Sequence, residues 1–148
     1  MEIEKLNTPQ VMGDFDFDGD RIVRVTYRGK LSPDVTRTMY AWLGRLVASV
    51  GGDIRIARGS IYDFRQVTDF DSHNLTSAQR QSSNLKTQVD ADELRHHPVA
   101  LLINSLKQEQ FVKLNMQIVG REERQRVVRT EEEAVNFIEN FHKTHAPE

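Results

Sequence analysis

The run Pro98-Val-Ala-Leu-Leu-Ile103 is the longest apolar stretch of the chain and decides its fold class. A strand with one face in water alternates apolar and polar side chains, whereas a parallel strand covered on both faces does not. Because residues 99–103 show no alternation and follow a proline, they predict a central parallel strand buried on both faces. The run is far shorter than the ~20 residues that span a bilayer, so the sequence predicts no membrane span.

Strand and helix patterns alternate on either side of this run. Ser32 and Pro33 suit the N-cap and first position of a helix that carries an apolar stripe. Thr130 and Glu133 have the spacing of a capping box at the start of the last helix. The remaining patterns predict a hairpin over 15–27 with a three-residue loop at 18–20, strands at 54–64 and 126–129, and helices at 72–89 and 106–119.

The resulting order, β-β-α-β-α-β-α-β-α, predicts an α/β fold. Strands that alternate with helices form a mostly parallel mixed sheet with crossover helices, and the first hairpin adds an antiparallel edge. We therefore expect a single domain with about four helices over residues 14–148, preceded by an irregular N-terminal arm at 1–13. The length of 148 residues fits one domain.

The composition excludes several classes of function. The chain has 20 Lys plus Arg against 22 Asp plus Glu, which is too balanced for a dedicated nucleic-acid binder. It contains no cysteine, so it has no disulfide, thiol nucleophile or zinc–thiolate site. The first ten residues carry no apolar run of the kind found in signal peptides, so a cytoplasmic protein is expected.

The sequence predicts no metal site, no cofactor and no catalytic residues. Residues 14–19 copy the first half of a calcium loop, but its twelfth position, which requires Glu, is Val25. The pairs His96-His97 and His142-His145 are interpreted as plain surface residues, because neither pair has the three or four ligands that a zinc site needs. Neither a Gly-x-Ser-x-Gly elbow nor a phosphate-binding glycine loop is present. The histidines are His73, His96, His97, His142 and His145.

The segment from Tyr62 to Leu75, Tyr-Asp-Phe-Arg-Gln-Val-Thr-Asp-Phe-Asp-Ser-His-Asn-Leu, carries the most functional information. It predicts the end of a strand, a loop over 65–71 and a helix that opens at Asp71-Ser72. Free amides at a helix start bind anions or phosphoryl groups. Asp71 or Ser72 can equally serve as a helix cap without any further function, so both interpretations fit the sequence.

This segment resembles the STAS family, the domain of sulfate transporters and anti-sigma-factor antagonists. In that family a strand continues through a valine to Asp-Ser-Ser-Gly-Leu or Asp-Ser-Thr-Gly-Leu. The order of elements over about residues 14–144 is also similar to the family. The resemblance implies a STAS-like fold and a regulatory role. The residues that match the motif here are Tyr62-Asp63-Phe64, Val67, Asp71, Ser72 and Leu75.

His73 and Asn74 depart from the family pattern. In the antagonists a partner kinase phosphorylates the second hydroxyl residue of the motif, and His73 occupies that position here, followed by Asn74 in place of glycine. The resemblance therefore implies a non-enzymatic, protein-binding regulatory module without the serine/threonine phospho-switch. The implied partner-binding surface comprises Asp71, Ser72, His73 and Asn74, with Asp63, Val67 and Leu75 in support.

Two other functions stay open at this level. One is a carrier or sensor of a small apolar, lipid-like ligand held between the sheet and a mobile helix, and the other is an enzyme. An exposed apolar patch near the 72–89 helix would indicate a protein partner. A closed apolar pocket would indicate a ligand carrier. Clustered polar groups with perturbed pKa values would indicate an enzyme. The sequence is compatible with a homodimer as well as with other oligomeric states.

Overall fold

The computed structural model describes residues 4–71, 73–118 and 124–144. The strands are β1 (Leu6–Asn7), β2 (Val11–Phe15), β3 (Ile22–Leu31), β4 (Gly59–Phe70), β5 (Val99–Leu102) and β6 (Gln125–Val128). The α-helices are α1 (Pro33–Ser49), α2 (Asn74–Lys86), α3 (Ala91–Arg95), α4 (Leu106–Ile118) and α5 (Glu131–Thr144). A short 3₁₀ helix, Ile54–Ile56, precedes β4.

The strands form one mixed sheet in the order β1-β2-β3-β4-β5-β6. The pairs among β1, β2 and β3 are antiparallel, and those from β3 to β6 are parallel. β5 lies between β4 and β6, and all four of its residues are buried. Ala100 and Leu102 pack into the core on one face of the sheet, and Val99 and Leu101 into the core on the other. This arrangement confirms the predicted α/β fold and its doubly buried central strand.

α1 covers one face of the sheet. Ser32 caps it by accepting a hydrogen bond from the Val35 amide at 3.5 Å, and Pro33 takes the first helical position, as predicted. The apolar residues of α1 recur at three- and four-residue spacing, so they share the side that faces the sheet. The buried stripe consists of Val35, Met39, Trp42, Leu43, Leu46 and Val47.

α5 contributes to the core on the opposite face. Its start has the predicted capping box, because the Thr130 hydroxyl oxygen accepts a hydrogen bond from the Glu133 amide at 3.0 Å. The stripe of Ala134, Phe137, Ile138 and Phe141 is buried against Ile61, Ala100 and Leu102.

The N-terminal segment differs from the irregular arm predicted over 1–13. β1 and part of β2 lie within it and extend the antiparallel edge of the sheet. Trp42 of α1 provides the physical reason, because its Nε1 donates a hydrogen bond to the Glu4 carbonyl at 2.7 Å. Its ring also lies against Gly13 of β2. A buried tryptophan on a distant helix thus orders a stretch whose own sequence has weak strand character.

The hairpin loop spans residues 16–21 and is longer than the predicted three residues at 18–20. The predicted grouping of side chains is nevertheless confirmed, because Phe15 pairs with Val23 and both join the same core as Val25 and Tyr27.

β4 begins later and ends later than predicted. The first part of the predicted strand at 54–64 is the 3₁₀ helix, and most of the predicted loop at 65–71 is strand. β3 is ten residues long and pairs with β4 up to Leu31 and Phe70, which keeps the polar second half of β4 extended. Asp71 follows directly, so α2 starts at the carboxyl edge of the parallel part of the sheet.

Candidate functional site

Asp71 forms the turn between β4 and α2. Its backbone amide donates a hydrogen bond to the Leu31 carbonyl at 2.9 Å, which continues the pairing with β3. Its carboxylate accepts a hydrogen bond from the His73 amide at 2.8 Å and lies 3.3 Å from His73 Nδ1. The bond from the His73 amide holds the pKa of the Asp71 carboxyl below its ordinary value. Asp71 thus stabilises the turn that leads into α2, whereas the N-cap residue of α2 is His73, whose side chain makes no capping hydrogen bond.

His73 and Asn74 are adjacent in sequence but lie in opposite environments. The His73 side chain is 88% exposed. Asn74 is only 2% exposed, and its side-chain oxygen accepts a hydrogen bond from the Thr36 hydroxyl of α1. Asn74 therefore joins α2 to α1 and lies beneath the surface that the sequence predicted it to form. Asp71 and His73 are the members of that surface among the described residues.

The predicted supporting residues do not gather at this turn. Asp63 is largely buried in β4 and forms an ion pair with Arg65 at 2.9 Å. Val67 belongs to the core. Ser72 and the side chain of Leu75 lie outside the part of the chain that the structure describes.

A cavity of about 200 Å³ separates the sheet from α1 and α2. Its walls are mainly apolar and include Leu43, Leu46 and Val47 of α1, Phe64 and Leu101 of the sheet, and Leu85 of α2. Thr36 and Asn74 also line it, close to the turn at Asp71. The arrangement matches the apolar pocket that a ligand carrier would require.

One end of the cavity is polar, and it lies at the amino ends of β4, β5 and β6. Strand register brings these ends together, because Val99 pairs with Ser60 on one side and with Gln125 on the other. The Ser60 hydroxyl oxygen lies 2.7 Å from His97 Nε2, and Arg124 donates a hydrogen bond to the His97 carbonyl at 3.2 Å. We call Ser60, Tyr62, His97, Arg124 and Gln125 the polar end of the cavity.

Two atoms of the polar end are buried without a hydrogen-bond partner among the described residues: His97 Nδ1 and Gln125 Oε1. Such atoms are rare in folded proteins, since each loses its hydration without compensation. Burial, reinforced by the Arg124 guanidinium, lowers the pKa of His97 to about 4. The imidazole is therefore neutral near pH 7, and one of its two nitrogens carries a proton.

The pair of Ser60 and His97 lacks the features of a serine nucleophile with its base. In a catalytic triad the second ring nitrogen is oriented by a carboxylate, whereas His97 Nδ1 has no partner within the part of the chain that the structure describes. A general base works best with a pKa near the operating pH, and the pKa of His97 is about 4.

Sequence reasoning did not identify the polar end. It interpreted His97 as a surface residue, but the ring nitrogens are enclosed and one of them bonds to Ser60. It also interpreted His142 as a surface residue, but His142 is half-buried in α5, with Nε2 2.5 Å from the Arg58 carbonyl. One available signal was the alternation of Ser60, Tyr62 and Phe64, which puts two polar side chains on the core face of β4.

Within residues 4–71, 73–118 and 124–144, no three His, Asp or Glu side chains are grouped so that they could hold a metal ion. Over the same ranges, no helix combines the length and apolar character needed to cross a bilayer.

Comparison with known proteins defines the fold. The chain matches no protein family, and no curated protein matches it significantly. An uncharacterised DUF3478-family protein with a SpoIIAA-like fold, from Shewanella loihica PV-4, superposes with a TM-score of 0.62 at 12% identity. That match covers 89% of this chain and 96% of the other. The unphosphorylated anti-sigma factor antagonist SpoIIAA superposes with a TM-score of 0.53 at 16% identity, over 86% of this chain and 96% of the other.

The chain therefore has a SpoIIAA-like fold, which confirms the fold implied by its resemblance to the STAS family. At these identities the likeness concerns the fold alone.

Proposed function

We propose that the protein is a non-enzymatic binding module that holds a small, mainly apolar molecule in the cavity between the sheet and helices α1 and α2. The observation that carries this proposal is the cavity itself, with about 200 Å³ of space inside a 148-residue domain. Protein interiors are close-packed and contain few voids larger than a water molecule. An engineered apolar cavity of about 150 Å³ stays dry and binds benzene.

A ligand that binds only the folded chain stabilises that chain by mass action. Because domains are stable by only about 5–15 kcal/mol in total, a molecule that fills the cavity should raise the free energy of unfolding measurably.

Native mass spectrometry of protein purified from its own host tests the proposal. We expect a bound species with a defined excess mass, which disappears on denaturation. Val47→Phe, which places a larger side chain in the cavity, should abolish the excess mass, while Val135→Phe on α5 should retain it. The proposal would be refuted if the purified protein carried no excess mass and if apolar probes neither stabilised it nor shifted its NMR signals.

A second candidate function, which we also propose, is regulation through a protein partner that contacts the turn at Asp71, Ser72 and His73. The exposure of His73 at a rigid helix start favours it. Leu106 adds apolar surface at the same edge of the sheet, because α4 follows β5, the parallel neighbour of β4. Among the described residues, Leu106 is the large apolar residue that lies exposed, with 64% of its surface accessible to solvent.

In this second proposal the turn does not act as a serine-kinase switch. A phosphoryl group would add about 1.5–2 negative charges beside the helix start, and the position that carries it in the antagonists is His73 here. A partner retained from host lysate should be lost with His73→Ala and kept with His96→Ala, which removes another exposed histidine. Stoichiometric phosphate on Ser72 that releases the partner would contradict this view.

A further inference from the structure

We propose that the cavity binds a neutral aromatic molecule that carries one hydrogen-bond-accepting oxygen, with its ring among the aromatic side chains of the wall and its oxygen at the Tyr27 hydroxyl. This inference rests on the proposed ligand-binding function and names the chemical class of the ligand. An engineered cavity of about 150 Å³ binds benzene. The space of about 200 Å³ found here therefore suits one ring with a short substituent.

Tyr27 supplies the polar contact. The residue lines the cavity and is only 5% exposed, with its ring stacked on that of Phe64 at 5.0 Å between centroids. Its hydroxyl forms no hydrogen bond with any described residue. Among those residues the side-chain atoms that are sealed from solvent without a partner are His97 Nδ1 and Gln125 Oε1, so the Tyr27 hydroxyl is not sealed. Because Tyr27 is buried and lines the cavity, a molecule in the cavity can reach this hydroxyl.

The Tyr27 hydroxyl is a hydrogen-bond donor at neutral pH. Burial, together with the neighbouring phenols of Tyr40 and Tyr62, raises the pKa of Tyr27 well above its ordinary value, so the group keeps its proton. A buried donor without a partner is unfavourable, because its hydration is lost without compensation. A carbonyl or ether oxygen of the ligand can accept this hydrogen bond and so fix the orientation of the ligand.

Aromatic rings form much of the cavity wall. They lie both on the sheet and on the helices that cover it, so a flat ring between the two layers meets aromatic side chains on both sides. Aromatic pairs gain free energy beyond that of their buried area, which favours an aromatic ligand over a saturated one of the same size. The rings are those of Phe15, Tyr27, Tyr62 and Phe64 on the sheet and of Tyr40 and Phe111 on α1 and α4.

The charged groups of the wall already have partners. Among the described lining residues these groups are Asp53 and Arg124, and the His97 ring is neutral near pH 7. Asp53 is paired with Arg55 at 2.9 and 3.2 Å. Arg124 donates a hydrogen bond to the His97 carbonyl at 3.2 Å and takes part in a further interaction. A charged ligand would lose its hydration without gaining a free counter-charge, so a neutral ligand is favoured.

Calorimetric titration of the wild-type protein with acetophenone, cyclohexyl methyl ketone and benzoate tests the ring and the charge. We expect one-to-one binding of acetophenone, about threefold or more tighter than that of cyclohexyl methyl ketone, which has the same carbonyl but a saturated ring. Benzoate should bind at least about tenfold more weakly than acetophenone, because its carboxylate loses hydration in the cavity. These comparisons do not depend on the folding of any variant.

Tyr27→Phe tests the hydrogen bond, because it removes the hydroxyl and keeps the ring. It should weaken acetophenone binding about three- to tenfold. Isopropylbenzene, which has a methyl group in place of the carbonyl oxygen, should bind the variant as tightly as the wild type or more tightly. Thr26→Val removes a hydroxyl from the next residue of β3, whose side chain lies on the other face of the sheet, and should leave both affinities unchanged. In parallel, acetophenone should shift the NMR signals of the Tyr27 ring.

The outcomes separate the inference from the proposed function. Equal or tighter binding of cyclohexyl methyl ketone or of benzoate would overturn the assignment of a neutral aromatic ligand while the cavity remained a binding site. Equal changes in acetophenone and isopropylbenzene affinity in Tyr27→Phe would overturn the hydrogen bond and with it the inference. Failure of all four probes to bind would overturn the inference as well. Protein from the host that also carried no excess mass would then remove the proposed function itself.

Discussion

Replacing His97 with glutamine should flatten the loss of stability that the protein undergoes on acidification. The His97 ring lies beside Ser60, and its burial, reinforced by the charges of Arg124 and His142, lowers its pKa to about 4 from the ordinary value of 6.5. Each unit of pKa difference between the folded and the unfolded chain changes the free energy of unfolding by about 1.4 kcal/mol. The whole difference therefore amounts to roughly 3 kcal/mol.

The sign follows from proton binding in the two states. Above pH 6.5 the imidazole is neutral in both the folded and the unfolded chain. As the pH falls from 6.5 to about 4, the unfolded chain binds a proton that the folded chain does not, so the free energy of unfolding decreases. Below about 4 both states are protonated, and this contribution reaches its limit.

Urea unfolding at pH 7, 6, 5 and 4 measures the effect, with fluorescence of the single, buried Trp42 as the probe. The wild-type free energy of unfolding should fall by about 3 kcal/mol more than that of His97→Gln over this range. Acidic residues titrate in both proteins, so their contributions cancel in the comparison. Equal slopes for wild type and His97→Gln would refute the account of a buried neutral ring.

Three further variants test the packing around the cavity and the sheet by urea unfolding. Leu102→Ala in the doubly buried strand should lower the free energy of unfolding by about 2–5 kcal/mol, and a loss below about 1 kcal/mol would contradict its burial. Gly13→Ala should cost about 1–3 kcal/mol, because the new methyl group would come within 2.7 Å of the Trp42 ring; an unchanged stability would show that the ring moves freely. Asn74→Ala leaves the Thr36 hydroxyl unpaired and should cost about 1–3 kcal/mol, whereas Asn74→Asp, which retains an acceptor, should cost less.

The order and type of most elements could be predicted from sequence, because each has a local cause. The apolar run at 99–103 has no alternation, Ser32 and Pro33 start a helix, and Thr130 forms a capping box with Glu133. These signals depend on residues at most four positions apart. The second half of β4 has no such signal, because Thr68 and Asp69 are typical of loops. Only pairing with the distant β3 keeps this segment extended.

The candidate site could be predicted only in part, because its members are brought together by long-range register. The turn at Asp71 was recognised from a contiguous motif, but the burial of Asn74 depends on Thr36, 38 positions earlier in the chain. The polar end requires Ser60, His97 and Gln125 to meet across three strands. No spacing within the sequence encodes that meeting, so His97 resembled any other polar residue before a strand.

The two proposed functions meet at the first turn of α2. Asn74 lines the cavity and bonds to Thr36, while the adjacent His73 is exposed to solvent. A ligand shifts this turn only if it binds more tightly to one arrangement of α2 than to another. Linkage then requires that the ligand change partner affinity by the same factor as the partner changes ligand affinity. A shared factor above or below one would make the protein a sensor that reports on its cavity, whereas a factor of one would leave the cavity and the turn as independent sites on one fold.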